Sequence, residues 1–590
     1  MVPYSTLKEK YFAEYNSLNK QYNLISFIRL IVIILLCIFI YYYTKTQHIS
    51  YLLALSAFII CMAFLIKLHD KIDYRKQIKN ALLNINNDEL TYLKHEKIPF
   101  NDGNQYSDPS HLYSYDLDVF GKNSLYHHLN RTGTYIGEKT FAELLLSQLS
   151  AEKIITNQEA VKELASKINW RQDVLATALI IKDSKEIYEK LISWSINEPD
   201  PVSGFLIAVS FISPVLLCVA FIFHFINPEL IPWKIISSIT IFNLLIVSSI
   251  GKRINKELRE TGKIHKCIMQ YGLMIEKTES ENFISKGLNQ LKDSLLGNNN
   301  SSGMEIKKLS KLFNNLENIK NLFGAALSNS ILLYHLHVYQ NLQEWKKQNS
   351  RQIAGWLSVI GKFEALNSLA NFCFNNPSFV FPTINNDFKI SFEESGHPLI
   401  PSEKRVCNSV SFLENKFIIL TGSNMSGKST FLRTLGINIL LAGIGAPVCS
   451  KNANIHPLQI VVSMRQSDSL ADNESYFFAE VKRLKHIMEE LKKNSCFVLL
   501  DEILRGTNSD DKRSGTIAII KRLISKNAIG SVATHDIEIC KTTLEFPHYL
   551  INKCFEVEIA NDELSFDYKL REGICKNKSA TFLMKKMEVI

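Results

Sequence analysis

Cysteine pairs of the C-x-x-C type are absent from this chain of 590 residues. The eleven cysteines are scattered, and several lie inside apolar runs, as Cys37 and Cys218 do. A free cysteine in such surroundings behaves as a small buried hydrophobe, and the cytosol keeps it reduced. The pattern therefore favours a reduced, cytosol-facing protein over a disulfide scaffold.

A strong charge imbalance is also missing, since the formal net charge is only +9 and charged residues make up 21 % of the chain. Much of the positive excess lies beside apolar runs, so membrane headgroups account for it as well as nucleic acid does. No signal peptide is expected, because the first apolar run is long, ends in three tyrosines and has no small-residue cleavage site.

Four long apolar runs stand out, at residues 24–43, 51–66, 205–226 and 235–250. Runs of about 17–22 residues are long enough to cross a bilayer. Lysine and arginine cluster before the first run and after the second and fourth, so the positive-inside rule places the large soluble parts in the cytoplasm. The sequence thus predicts an integral membrane protein with about four transmembrane helices in two hairpins. Buried helices of a soluble core remain the alternative, more so for the second hairpin, which Pro214 and several serines dilute.

The strongest chemical signal is a glycine-rich segment. Residues 417–420 are predicted to form a buried strand, 422–429 match G-x-x-x-x-G-K-[ST], and 430–441 are predicted to form a helix. Such a loop binds a phosphate chain through its backbone N–H groups, at the positive end of a helix. The alternative interpretation of the segment is a chance Gly-Lys-Ser turn. The predicted nucleotide-binding residues are Gly422, Ser423, Asn424, Met425, Ser426, Gly427, Lys428, Ser429 and Thr430.

Two further predicted strands end in residues that suit the same site. Asp501 and Glu502 follow an apolar strand, where the first acid, with Ser429, would hold Mg²⁺ and the second would act as general base. His535 follows another strand, and its neutral ring could sense the γ-phosphate or orient the attacking water. A purely structural histidine is the alternative. The expected cofactors are ATP and Mg²⁺.

These motifs together resemble the MutS ATPase, the ABC-type ATPase of DNA mismatch repair proteins and their relatives. The resemblance rests on Asn424 and Met425 inside the glycine-rich segment, on residues 501–508 (DEILRGTN) and on 533–535 (ATH). It implies an α/β P-loop NTPase of the ABC/MutS type at the C-terminal end, preceded by an all-α MutS-like core that transmembrane helical hairpins interrupt.

Functional roles follow from the resemblance residue by residue. Glu502 and His535 match the catalytic acid and the switch histidine, and Asp501 matches the Mg²⁺ acid. Ser475 matches the signature-loop serine that reaches the γ-phosphate in the other subunit, although Tyr476 replaces the usual threonine. The resemblance therefore implies a homodimer through the ATPase domain, in which each subunit completes the other's site.

The resemblance also gives a division of the chain. We expect a cytosolic lead-in at 1–23, transmembrane hairpin 1 at 24–67, the first part of the MutS-like helical core at 68–204, transmembrane hairpin 2 at 205–251, the second part of the core with the lever at 252–374, and the ATPase domain at 375–590. Two spans occupy the region before residue 116, so the N-terminal mismatch-recognition domains of the family are expected to be missing.

The predicted activity is that of a membrane-anchored MutS-family ATPase, in which ATP binding closes the dimer and hydrolysis opens it. Binding of mismatched or branched DNA, and a role in DNA mismatch repair, are implied by the resemblance alone. ATP-driven remodelling of a membrane protein complex without DNA, and the ATPase of a transporter, remain the alternatives.

Overall fold

The structure is a computed structural model that describes residues 2–261, 264–296, 301–465, 476–560 and 563–575. Its first part is helical. The helices are α1 (Val2–Thr46), α2 (Ile49–Leu93), α3 (Leu125–Leu129), α4 (Tyr135–Leu145), α5 (Ala151–Ser166), α6 (Ile168–Leu179), α7 (Lys185–Ile196), α8 (Gly204–Ile226), α9 (Trp233–Ser249), α10 (Gly251–Thr261), α11 (His265–Ser280), α12 (Lys286–Asp293), α13 (Ser302–Glu317), α14 (Leu322–Leu332), α15 (Tyr334–Asn349) and α16 (Ile353–Asn375).

Helices α1 and α2 pair along their length as a hairpin of two 45-residue helices. At 1.5 Å per residue each is about 68 Å long, roughly twice the hydrocarbon thickness of a bilayer. Each apolar run is therefore part of a longer helix, which includes the predicted lead-in in α1 and the polar residues after 66 in α2. The polar end of the hairpin packs on α6, where Tyr11, Leu82 and Ala176 share an apolar cluster.

Among the described residues, α1, α2 and α8 are each long and apolar enough to cross a membrane. Helix α9 and the start of α10, which are bent by 47° at their junction, count as a fourth if they form one span. Only 6–22 % of the most apolar window in α1, α2 and α8 is buried inside the protein. This exposure disagrees with the alternative of buried helices in a soluble core.

The second part of the chain alternates strands and helices, as predicted. The strands are β1 (Thr383–Ile384), β2 (Ser391–Ser395), β3 (Asn408–Ser411), β4 (Phe417–Gly422), β5 (Asn452–Ile455), β6 (Gln459–Ser463), β7 (Cys496–Asp501), β8 (Ile529–Ala533), β9 (Leu550–Phe555), β10 (Glu558–Ala560), β11 (Glu563–Ser565) and β12 (Leu570–Glu572). The helices are α17 (Lys428–Gly443), α18 (Tyr476–Lys493), α19 (Ser509–Ser525), α20 (Ile537–Cys540) and α21 (Thr542–Glu545).

The main sheet has the order β12-β9-β4-β8-β7-β6, and all its neighbours are parallel except the antiparallel edge strand β12. A second, mixed sheet has the order β1-β5-β2-β3, and β10 pairs with β11. Residues 380–382 form no strand, because Val380 makes only an isolated bridge to Val448, and β1 begins at Thr383.

An acidic residue before α3 joins the helical part to the main sheet. Asp116 is buried, and its Oδ1 accepts hydrogen bonds from the backbone N–H groups of Met464 and Arg465, both at 2.8 Å. Its Oδ2 accepts from Arg483 of α18 at 3.0 Å. The segment before α3 is thereby fixed to the end of β6.

A buried polar network fixes the first hairpin to α16. Glu89 of α2 is only 2 % exposed and forms an ion pair with Arg131. Asn371 and Asn375 of α16 donate to its two carboxylate oxygens at 2.9 and 3.1 Å, and Tyr4 of α1 donates to Asn375 at 2.8 Å. A buried carboxylate needs this many partners, because desolvation without them costs several kcal/mol.

We predict that Glu89→Ala lowers the free energy of unfolding by about 3–5 kcal/mol, because it leaves the Arg131 charge buried and unpaired. The matched control is Lys8→Ala, which removes only the exposed hydrogen bond from Lys8 to Asn87 and should change stability by at most about 0.5 kcal/mol. Denaturant unfolding of the detergent-solubilised protein measures both. Equal effects of the two substitutions would contradict the structural role of Glu89.

Candidate active site

Three strands of the main sheet end in register at one edge. Leu420 of β4 pairs with Ala533 of β8, which pairs in turn with Asp501 of β7. Every residue of β4 is buried, as expected for an apolar strand between two parallel neighbours. The segments that follow these strands therefore converge. They are the glycine-rich loop (residues 422–427), Glu502 and His535.

The predicted order of strand, glycine-rich loop and helix is found. Strand β4 ends at Gly422, and α17 begins at Lys428, two residues earlier than expected. Gly427 precedes the helix with a φ of 101°, a conformation that glycine adopts without strain. Met425 also has a positive φ, 66°, which is strained for a residue with a side chain.

Lys428 closes the base of the glycine-rich loop. Its buried Nζ donates to the backbone carbonyls of Gly422 at 2.8 Å and Ser423 at 2.9 Å. Burial lowers the pKa of Lys428, whereas the carboxylates of Glu502 and Asp501 raise it. The ammonium group thus lies inside the loop, close to both acids predicted for the site.

Ser429 and Asp501 form a second contact beneath the loop. The Ser429 hydroxyl donates to Asp501 Oδ2 at 2.5 Å, and Asp501 Oδ1 is buried without a hydrogen-bond partner among the described residues. Burial raises the pKa of Asp501. Hydroxyl and carboxylate oxygens are ligands that Mg²⁺ prefers, so this pair fits the predicted metal.

A set of three or more His, Cys, Asp or Glu side chains able to hold a metal does not occur in the described ranges. A Mg²⁺ ion at Ser429 and Asp501 would therefore take its other ligands from phosphate and water. This arrangement is the usual one for Mg²⁺, which keeps several waters and uses one or two carboxylates.

Glu502 contacts both His535 and Arg505. One carboxylate oxygen lies 2.5 Å from His535 Nε2, and the other lies 3.2 Å from Arg505 Nη2. Burial raises the pKa of Glu502, but the hydrogen bond and charge of His535, followed by the charges of Arg505 and Lys428, outweigh it and lower this pKa to about 2. Glu502 is therefore ionised throughout the physiological pH range.

The backbone around Glu502 is strained. Glu502 and Leu504 have φ values of 48° and 60°, which cost about 1–3 kcal/mol each for residues other than glycine. Glu480 of α18 holds this turn, because its two carboxylate oxygens accept from the N–H groups of Leu504 at 2.6 Å and Arg505 at 3.2 Å. Sequence reasoning missed the roles of Glu480 and Arg505. For Arg505 the available signals were its place in the 501–508 motif and its spacing three residues after Glu502.

A cleft of about 450 Å³ opens beside the glycine-rich loop. Its walls include Asn424, Met425, Ser426, Gly427, Lys428, Ser429, Thr430 and Glu502 of the predicted set, and His397, Ile400, Val406, Phe431, Phe555 and Tyr568, which were not predicted as site residues. Burial lowers the pKa of His397 to about 4, with smaller contributions from Arg433 and Arg405, so its ring is neutral at physiological pH.

The structure thus brings together all but one of the predicted site residues. Asp501 lies behind Ser429, and His535 is joined to the cleft through Glu502. The hydroxyls of Ser423 and Ser426 are buried and have no hydrogen-bond partner within the described ranges, so they could donate to a ligand. Ser475, assigned to the signature loop, lies outside the described residues.

Comparison with known proteins identifies the region that contains this site. Residues 418–588 match the family model described as MutS domain V. A DNA mismatch repair protein MutS from Methanosarcina barkeri is 26 % identical over 452 residues, which cover 70 % of this chain and 50 % of the relative. The corresponding protein from Halothermothrix orenii is 30 % identical over 261 residues, 43 % of this chain and 28 % of the relative.

MutS protein homolog 4 from Homo sapiens is also similar, at 29 % identity over 232 residues, 38 % of this chain and 24 % of the relative. The aligned part of this chain thus spans half, or less, of the length of these curated relatives. The resemblance inferred from the motifs is confirmed by these matches.

The conformation of Gly427 gives a testable prediction. Gly427→Ala places a side chain at a φ of 101°, with Cβ 3.0 Å from the Tyr568 ring. We expect it to weaken binding of a fluorescent ATP analogue at least about tenfold, corresponding to about 1.4 kcal/mol of strain in the loop. Gly443→Ala is the matched control, because its Cβ would meet nothing within 4 Å. Unchanged binding of the ATP analogue by Gly427→Ala would show that nucleotide binding does not depend on the loop conformation.

Proposed function

The chain belongs to the MutS family, and on that premise we propose that it is a membrane-anchored ATPase that hydrolyses ATP to ADP and phosphate. The observation that carries the proposal is the convergence of Lys428, the Ser429–Asp501 pair and the Glu502–His535 pair at one sheet edge. We assign the second part of the chain to the P-loop NTPase fold of the ABC/MutS type, because a parallel sheet with a glycine-rich loop after its central strand is typical of that fold.

Binding of ATP would use the glycine-rich loop and the start of α17. The loop offers backbone N–H groups and the helix offers its positive end. The hydroxyls of Ser423 and Ser426, which have no partner among the described residues, add two donors. Lys428 would exchange its bonds to two backbone carbonyls for phosphate oxygens, which are the stronger acceptors because they are charged.

Ser429 and Asp501 would hold Mg²⁺, and the second oxygen of Asp501 is free among the described residues to do so. The ion, when bound, neutralises charge on the phosphates. Burial raises the pKa of Asp501, and the positive charge of a bound cation would oppose this rise by stabilising the carboxylate.

Glu502 is the proposed general base. With a pKa of about 2 it is a weak base, because His535 and Arg505 both stabilise the carboxylate. Release of the Arg505 contact would raise this pKa and free one oxygen to orient the attacking water. His535 would keep the other oxygen in place, which is a positioning role.

We further propose that two such chains form a homodimer through their ATPase domains. Ser475 of each chain would reach the nucleotide of the other, so that ATP binding closes the dimer and hydrolysis opens it. Helices α1, α2, α8 and α9 would anchor the dimer in the membrane, with the ATPase domain in the cytoplasm. The length, composition and exposure of these helices support the anchoring.

DNA is the partner suggested by relatives named DNA mismatch repair protein MutS. We propose that the dimer binds mismatched or branched DNA. The competing function is ATP-driven remodelling of a membrane protein complex. One observation favours this alternative: the apolar α8–α9 hairpin lies between helices α7 and α10 of the helical part, so an anchor at this position would connect the helical part directly to the membrane.

ATP hydrolysis by the purified protein tests the site assignment. We expect Glu502→Gln to lower kcat by about 10²–10⁴-fold with ATP binding retained, because only the base is lost. Lys428→Ala should weaken ATP binding itself. Lys451→Ala is the control, since Lys451 is exposed and its ion pairs within the described ranges are with Glu393 and Glu394 on the second sheet. Hydrolysis at the unaltered rate by the first two variants would show that the site lies elsewhere.

Binding to mismatched, homoduplex and branched DNA over a salt series separates the two functions. Phosphate contacts predict affinity that falls steeply with salt, and a structure-specific site predicts a preference among the three DNAs at every salt concentration. Absence of binding to all three at low salt excludes the DNA function and leaves the two alternatives without DNA, which are remodelling of a membrane protein complex and the ATPase of a transporter.

A further inference from the structure

Helix α14 is a short apolar helix that lies outside the four long apolar runs of the sequence. It has 11 residues, and no Asp, Glu, Lys or Arg occurs between Lys320 and Glu344. At 1.5 Å per residue the helix is about 16 Å long, which is half of the hydrocarbon thickness of a bilayer. It is therefore too short to cross a membrane.

One face of α14 is exposed and apolar. Phe323 is 92 % exposed, Leu322 80 % and Leu327 65 %, and Ala326, Ile331 and Leu332 continue the same surface. These positions recur at helical spacing and form a stripe rather than isolated side chains. An exposed apolar stripe of this kind marks a surface that contacts either a membrane or another protein.

The opposite face of α14 packs on the second apolar hairpin. Helix α14 contacts both α8 and α9. The fully buried side chain of Asn243 in α9 donates to the Ser330 carbonyl of α14 at 2.8 Å and accepts from Ser213 of α8 at 2.5 Å. An asparagine inside an apolar helix needs such partners, because an unpaired amide is costly in hydrocarbon. The three helices therefore form one unit.

We propose that α14 is embedded in the membrane alongside α8 and α9, with the stripe of Leu322, Phe323 and Leu327 in contact with lipid acyl chains. The proposal rests on the membrane anchoring of α8 and α9. The hairpin that α14 contacts also has an exposed apolar surface, where Phe211, Phe242 and Leu245 are at least half exposed. A bilayer that surrounds α8 and α9 therefore reaches the helix that is packed against them.

Lipid is favoured over a protein partner by the composition of this surface. Protein interfaces combine an apolar centre with a polar rim that makes specific hydrogen bonds. The exposed face of α14 has no charged side chain, and the serines of the helix bond to backbone carbonyls, as Ser328 does to Ala325 and Ser330 to Leu327. This chemistry matches hydrocarbon, which offers no hydrogen-bond partner.

The test uses full-length protein in phosphatidylcholine–phosphatidylglycerol vesicles. An environment-sensitive fluorescent amino acid is introduced at one position at a time, which leaves the native cysteines unchanged. The positions are Phe323 on α14, Leu216 on the exposed side of α8 and Lys311 on the exposed surface of α13. Quenching is measured with nitroxide-labelled acyl chains and with aqueous iodide, and melting temperatures verify folding.

We expect the reporter at Phe323 to show blue-shifted emission, quenching by the lipid nitroxide as at Leu216, and loss of the iodide quenching seen at Lys311. Iodide quenching at Phe323 with lipid quenching at Leu216 would overturn the proposal for α14 and leave the anchoring intact. Protection of Phe323 from both quenchers would overturn it in favour of a protein contact. Iodide quenching at Leu216 as well would show that the proposed anchoring itself fails.

Discussion

Two buried carboxylates constrain how the apolar hairpins meet the rest of the protein. Glu89 binds Arg131 and two asparagines of α16 at the base of the first hairpin. Glu257 of α10, directly after the second hairpin, accepts hydrogen bonds from the Trp194 indole at 2.5 Å and from Gln343 at 2.9 Å. It also forms an ion pair with Lys346 at 4.0 Å. A buried carboxylate is tolerated only when its lone pairs are bonded in a fixed geometry. Apolar contacts alone would let each hairpin slide or rotate, whereas these acids define a single docking position for it.

The same helices that receive the hairpins also lead to the candidate active site. Helix α16 carries Asn371 and Asn375, is buried along most of its length, and runs directly into the strands of the second part. Glu364 in the same helix accepts hydrogen bonds from the Thr134 hydroxyl and the Gly133 N–H, so it holds the start of α4. Burial raises the pKa of Glu364 to about 7. On the other side Asp116 fixes the end of β6. These contacts thus connect the main sheet, through the helical part, to the bases of the hairpins.

The parts of the structure that were predictable from sequence are those that local pattern determines. Strands β4, β7 and β8 are buried on both faces, so they occur as continuous apolar runs, and the motif residues follow their ends. Strand β9 was missed because Asn552 and Lys553 interrupt its apolar pattern; the Asn552 side chain is bonded to the Cys540 carbonyl and to Thr543, contacts that only the fold creates. Glu480 and the strained turn after Glu502 were missed for the same reason, since the acid and the turn lie more than twenty residues apart. The domain limits and the role of Ser475 remain predictions.

The candidate site is organised around internal partners that resemble its proposed ligands. Lys428 binds two backbone carbonyls where phosphate oxygens would bind, Ser429 binds Asp501 where a cation would lie between them, and Arg505 occupies the oxygen of Glu502 that a water would need. Ligand binding at such a site exchanges contacts rather than adding them, so its net free energy is small relative to the number of bonds formed. The gain then comes from the groups without partners in the described ranges, which are Asp501 Oδ1 and the hydroxyls of Ser423 and Ser426. Arg505 lies on the turn that Glu480 holds to α18, and Arg483 of α18 binds Asp116. A series of contacts thus connects the Glu502–Arg505 ion pair to the contact between the main sheet and the segment before α3.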